Sequence, residues 1–174
     1  MREILIAGVG NIFNGDDGFG VEVAQRMARL VLPPEVAVRD FGIRGIDLAY
    51  ALEGNYHAVI LVDAASTGEV PGTLSVIEPE IDDAPADPAE MSGHNLDPGS
   101  ILRLLATLDR RRCRVLLVAC EPLDLGGESG AISLSAPVAA AVDGAIRIIQ
   151  QLIREVLAEE KADAAPDSLE VQTH

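Results

Sequence analysis

The chain has 174 residues, 48% of them hydrophobic but only 3% aromatic, and a formal net charge of −15. That length predicts one domain, and that charge leaves no basic stripe to neutralise phosphates, which excludes nucleic acid as a partner. Two cysteines, Cys113 and Cys120, without a CxxC pair, exclude a disulfide framework and point to a reducing cytoplasm; no uninterrupted run of 18 apolar residues is present, so no membrane span is expected.

With aromatics scarce, the core must be built from Val, Ile, Leu and Ala, which suits a parallel sheet covered on both faces. Ile4 to Val9 reads as a short buried strand ended by Gly10-Asn11. Gly18 to Leu32 follows helical spacing, with Val21, Ala24, Met27 and Val31 on one face, and Pro33-Pro34 stops it. Val36 to Phe41 reads as a second strand and Gly45 to Leu52 as a short helix ended by Gly54. Ala58 to Val62 is the most buried-looking strand, and Asp63 follows it. Thr73 to Ile77 alternates like a half-exposed edge strand after the Pro71-Gly72 turn.

Residues 79–98 lack periodicity and read as a long loop of the functional kind. Asp97-Pro98 starts a helix through Leu108. Arg114 to Ala119 is another buried strand, and Arg110 to Arg114 forms a basic cluster expected to lie at the solvated surface. Ser135-Ala136-Pro137 opens a final helix that keeps its period to about residue 158. The expected organisation is therefore an α/β domain over 1–158 and an acidic, flexible tail over 159–174.

Strands alternating with helices predict a three-layer sandwich, a mostly parallel twisted sheet of about five strands with helices on both faces. In such sheets ligands bind beyond the carboxyl ends of the strands. That rim would collect Asp16-Asp17 after the first strand, Asp63 after the third, and His94 in the polar loop. Carboxylates and an imidazole suit a borderline cation such as nickel or zinc, with coordination positions left open.

Each of these residues also has a structural reading. Asp16-Asp17-Gly18 fits a helix cap, so Asp16 capping and Asp17 facing the cleft can coexist. An acid directly after an apolar run, as Asp63 is, needs a partner. Gly8-Val9-Gly10 starts a dinucleotide fingerprint, but Phe13 stands where its third glycine belongs, and two carboxylates follow where a pyrophosphate would sit. The cysteines read as small core thiols.

Gly8-Val9-Gly10-Asn11, Asp16-Asp17-Gly18-Phe19-Gly20, Val62-Asp63-Ala64, Ser92-Gly93-His94-Asn95-Leu96 and the Leu134-Ser135 to Pro137-Val138 stretch, in this order and spacing, resemble the hydrogenase maturation endopeptidases. The resemblance runs from residue 1 to about 158. It implies an enzyme that removes the C-terminal extension from the large-subunit precursor of a nickel-iron hydrogenase after nickel insertion, with the inserted metal as the signal. The family's catalytic, metal-contacting residues fall on Asp17, Asp63 and His94, with Asp16 and Asp40 as accessory candidates. Position 17 is often Glu in the family, and the segment Asp40-Phe41-Gly42-Ile43-Arg44-Gly45 lacks the family's frequent Gly-Thr pair. Nickel would arrive with the precursor, with zinc or cadmium able to replace it in a crystal, and the protein would act as a monomer. Two alternatives remain open: a non-catalytic nickel-checking chaperone of the same precursor, and a nucleotide-binding α/β domain.

Overall fold

Five apolar segments become the strands of one sheet: β1 (Glu3–Val9), β2 (Val36–Gly42), β3 (Tyr56–Ala64), β4 (Leu74–Ile77) and β5 (Arg114–Cys120). Helices α1 (Phe19–Met27), α2 (Gly45–Leu52) and α3 (Ala136–Asp163) join them, with a 3-10 turn at Gly15–Gly18 just before α1. The computed structural model describes residues 3–52, 54, 56–78, 113–126 and 132–163.

The strand order is β2-β1-β3-β5-β4. The first four of these run parallel, and β4 pairs antiparallel with β5. The chain leaves β1 for β2 on one side and returns to place β3 on the other. The β1/β3 junction is thus the point where the winding reverses, and a crevice opens beyond the strand ends there.

Alternate residues of β1, β3 and β5 feed two apolar layers. Ile4, Ile6, Ala58, Ile60, Val62, Leu116 and Val118 face α1 and α3, where Phe19, Val23, Met27, Val142, Ile149 and Val156 meet them. Leu5, Ala7, Val59, Leu61, Val115 and Leu117 face Leu48, Ala51 and Leu52 of α2. Burying a Val, Ile or Leu side chain is worth roughly 1.5–3 kcal/mol, so the inner strands are the mechanical base of the site.

Several bounds differ from the sequence expectation, each for a physical reason. α1 ends at Met27 rather than Leu32: Arg29 and Leu30 donate to the carbonyls of Arg26 and Met27, a tightened last turn, and Val31 meets solvent rather than core. β3 starts two residues earlier and runs two residues further than expected, so Asp63 lies within the strand. α3 continues to Asp163, five residues past the end of its apolar period. Ala158-Glu159-Glu160-Lys161-Ala162 are strong helix formers, and Glu159 accepts from Arg114 at 3.0 Å.

Arg114 also grips Glu78 through two 3.0 Å hydrogen bonds. It therefore joins β5, the end of β4 and α3, rather than serving as loose surface charge. Residues 79–112, which hold the expected loop, the helix from Asp97 and Arg110 to Arg112, lie outside the described residues, as do 164–174.

The mean hydropathy of Ala136–Ala162 reaches 1.2 over its most apolar window, enough by length and composition to cross a membrane. In this fold the apolar face of α3 is spent on the sheet, through Val138, Val142, Ala145, Ile149, Ile153 and Val156.

Candidate active site

The turn that carries the two aspartates is set by unusually close backbone packing. A Cβ on Gly20 would run into the carbonyl oxygens of Val62 and Val9, and one on Gly8 into the Gly20 carbonyl. The start of α1 thus lies directly on β1 and β3. Gly10 has φ +123° and faces the carbonyl of Asp17 with no room for a side chain. The glycines of the broken dinucleotide fingerprint therefore serve helix-to-sheet contact and a reversed turn.

Adjacent in sequence, Asp16 and Asp17 have opposite surroundings. The Asp16 side chain has 0% exposure. Its Oδ2 accepts from the amides of Leu123 (2.8 Å) and Asp124 (2.9 Å) and from the Ser135 hydroxyl (2.9 Å), and its Oδ1 accepts from the Ser135 amide (2.6 Å). Burial pushes its pKa up, but these donors outweigh it, and the carboxyl lies below its ordinary value. Its side chain caps neither the 3-10 turn nor α1. The expected cap is replaced by a bond set reaching 107 to 119 residues along the chain.

Asp17 accepts one hydrogen bond among the described residues, from the Asn11 amide at 2.9 Å to Oδ2. Burial raises its pKa, and that single amide only partly offsets the rise.

Asp63 lies where β3 reaches the crevice and is 3% exposed. Its described hydrogen bond is local, from the Ala64 amide at 2.8 Å to Oδ1. Burial, and after it the charge of Asp17, push its pKa well above the ordinary carboxylate range. Among the described residues neither Asp17 nor Asp63 has a cationic partner. Among the described residues, two carboxylates with one hydrogen bond each and like charge between them form an arrangement that a proton or a cation relieves.

Comparison with known proteins gives this pair a context. The family model described as hydrogenase maturation protease matches residues 21–152. The hydrogenase expression/formation protein HupD of Rhodobacter capsulatus is 34% identical over 160 residues, covering 90% of this chain and 72% of that one. The hydrogenase maturating endopeptidase HybD from E. coli superimposes with a TM-score of 0.70 at 27% identity, covering 89% of this chain and 93% of that one. A hydrogenase 2 maturation peptidase from a Thaumarchaeota archaeon gives 0.65 at 30% identity, covering 87% and 98%. The chain belongs to the hydrogenase maturation protease family. It is a peptide-bond hydrolase on an α/β fold shared with those structures.

For a maturation protease the remaining candidates sort as follows. Asp17 and Asp63 share the crevice closely enough for the charge of Asp17 to act on Asp63. His94, the expected third member, lies outside the described residues. Among the described residues no three His, Cys, Asp or Glu side chains gather closely enough to hold a metal by themselves. Asp40 stands on β2 opposite Gly8 and accepts from Gln25 at 3.0 Å on the exposed surface. It borders a shallow depression with Arg39, Phe41, Arg44, Asp47 and Tyr50, on the β2 and α2 side. Cys120 is buried, and burial, with Asp16 and Glu121 nearby, pushes its thiol up to about 11, so it is no ready nucleophile.

Glu121 went unnoticed in the sequence. It follows the buried β5 run as Asp63 follows the start of its own, and that parallel was the available signal. Its Oε2 accepts from the Thr67 amide (2.6 Å) and hydroxyl (2.8 Å) and from the Glu69 amide (3.3 Å). The Thr67 amide leads the lowering of its pKa. Glu121 thus fastens the segment after β3.

Around the crevice, the loops after β1, β2 and β5 expose Ile12, Phe13, Ile43, Leu123 and Leu125, with Phe13 62% exposed. The Gly10 amide donates to the Gly42 carbonyl, and Gly126 abuts Asn14, so these loops are neighbours. Apolar groups gathered at a polar crevice mark a contact surface for another macromolecule.

Proposed function

We propose that this protein removes the C-terminal extension of a nickel-iron hydrogenase large-subunit precursor after nickel insertion, with Asp17, Asp63 and His94 contacting the nickel that the precursor carries. The observation that carries the reading is the Asp17–Asp63 pair: two carboxylates with one described hydrogen bond each, Asp63 buried and Asp17 half-buried at the winding reversal, in a chain of the maturation protease family. Nickel belongs to the substrate here, and the enzyme's donors fill positions that the precursor's own ligands leave open.

Electrostatics supports this order of events. Burial and mutual repulsion disfavour two negative charges in the empty crevice, and a docked divalent cation reverses both costs. His94 adds an imidazole, a donor that borderline cations accept readily. Once the ion is gripped, the neighbouring peptide lies at the crevice. A water polarised by the ion, or deprotonated by a carboxylate, adds to the carbonyl carbon. The C–N bond then breaks and the leaving amine takes up a proton. The apolar rim suits a folded protein substrate better than a free peptide.

The same reading has the enzyme act as a monomer in the cytoplasm. Its charge of −15 suits neither nucleic acid nor an anionic membrane surface.

Incubation with nickel-loaded and nickel-free precursor, followed by mass measurement, tests the proposal. Loss of a C-terminal peptide from the loaded form alone supports it. Cleavage of both forms removes the metal signal, and tight binding without cleavage points to a checking chaperone.

A further inference from the structure

We propose that Asp16 is a positioning residue for the cleavage reaction: its buried carboxylate ties the Gly15–Gly18 turn to the segment after β5 and to the start of α3, and so fixes where Asp17 stands relative to Asp63. The inference rests on the proposed use of Asp17 and Asp63.

The 3-10 turn has little apolar means of holding its place. Its buried residues are Gly15, Asp16 and Gly18, and two glycines contribute no side-chain packing. Polar bonds must locate it instead. The Asp16 carboxylate supplies four, to Leu123, Asp124 and the amide and hydroxyl of Ser135, and the Asp16 amide donates to the Asp124 carbonyl at 2.8 Å. The partners follow β5 or open α3, both anchored in the main core. The turn is thereby referenced to the frame that carries Asp63, since β5 pairs with β3 through Asp63 itself.

Asp17 is one peptide unit away, about 3.8 Å between Cα atoms, so it cannot keep its place if the turn shifts. On its other side the Gly10 backbone lies against the Asp17 carbonyl, and the Asn11 amide holds its carboxylate. Asp17 is held between this glycine contact and the Asp16 anchor. Catalytic groups displaced by about 1 Å lose about 10²-fold in rate.

The test compares Asp16→Asn and Ser135→Ala with Val156→Ala, a core truncation near the far end of α3. Asp16→Asn turns an NH2 or an unfilled oxygen toward amide donors, and Ser135→Ala removes one donor of the four. The first readout is hydrogen exchange. Since the Asn11 amide donates to Asp17, its exchange reports Asp17's placement without any substrate. Asp16→Asn is expected to speed Asn11 exchange about tenfold or more while the Leu61 amide of β3 stays protected, the pattern of local opening. Val156→Ala should affect both amides alike.

The second readout is single-turnover cleavage of nickel-loaded precursor. The rate at saturation should fall about 10²-fold in Asp16→Asn and several-fold in Ser135→Ala. The half-saturating precursor concentration should stay within about threefold, and Val156→Ala should cleave like the parent where folded. Unchanged Asn11 exchange in Asp16→Asn overturns the proposal, as does a saturated rate within twofold of Val156→Ala. If Asp16→Asn does not fold, Ser135→Ala reads the same effects on a smaller scale. A parent protein that fails to cleave would count against the proposed function, and the exchange measurement would still decide whether Asp16 places Asp17.

Discussion

Asp16 and Asp17 share a turn four residues long, yet among the described residues one carboxylate accepts four hydrogen bonds and the other one. The first lowers the energy of the fold. The second, with Asp63, raises it, because burial works against both and the charge of Asp17 works against Asp63 as well. The lesson is that burial alone does not separate a structural acid from a functional one. The donors around it do, and groups left short of donors accumulate where a ligand will supply them.

The largest expected effect is on cleavage. Asp17→Asn and Asp63→Asn should each slow processing of nickel-loaded precursor by about 10²-fold or more, the range typical for losing a positioned acid–base or ligand group. The mass of the precursor after timed incubation checks it. Near-normal processing by either variant would break the contrast between the two aspartates.

Asp16→Ala should be the most destabilising of the acid replacements. It strands three part-buried amides and a hydroxyl, each costing up to about 1–3 kcal/mol when unpaired. Water entering the gap offsets part of that, leaving a net loss of about 2–4 kcal/mol. At about 2–4 °C per kcal/mol for a chain of this size, the melting temperature should fall by roughly 5–15 °C, which calorimetry reads directly.

Gly20→Ala follows. The new methyl group meets the Val62 and Val9 carbonyls, so α1 must lift from the sheet. Overpacking of this kind costs about 1–3 kcal/mol, and cleavage should fall with it because the aspartate turn rides on α1. Denaturant unfolding together with the cleavage assay checks both consequences. The smallest effect belongs to the surface: Asp143→Ala removes an exposed ion pair with Arg26 at 3.2 Å, worth about 0–1 kcal/mol, and should leave cleavage unchanged.

Much of this was legible in the sequence. The bounds of α2 were, because Gly45 and Gly54 punctuate a short apolar run. The parallel sheet was too, because Val, Ile and Leu dominate every inner strand. Asp17 and Asp63 were marked by their placement just after glycine-rich or apolar segments. The partners of Asp16 were not legible. Leu123, Asp124 and Ser135 use backbone amides that any residue would supply, more than a hundred residues away, so no local pattern announces them. That Asp63 lies within the strand rather than after it was not legible, because a run of apolar residues does not say how far pairing extends. The length of α3 was missed because an exposed helical turn needs no apolar period.

The most direct measurement is the melting temperature of Asp16→Asn and Asp63→Asn side by side across pH. Asp63 has a raised pKa in the folded state, so the native protein binds more protons there than the unfolded chain does. Stability from this group is therefore full below about pH 4, the ordinary carboxylate value, and is lost as pH rises through the folded value. Asp16 has the opposite sign: its contribution is present above about pH 4 and is lost as pH falls through its lowered value. At neutral pH the account predicts a lower melting temperature for Asp16→Asn, and a higher one for Asp63→Asn with a flatter pH dependence. A clear loss of stability in Asp63→Asn comparable to that in Asp16→Asn would contradict it.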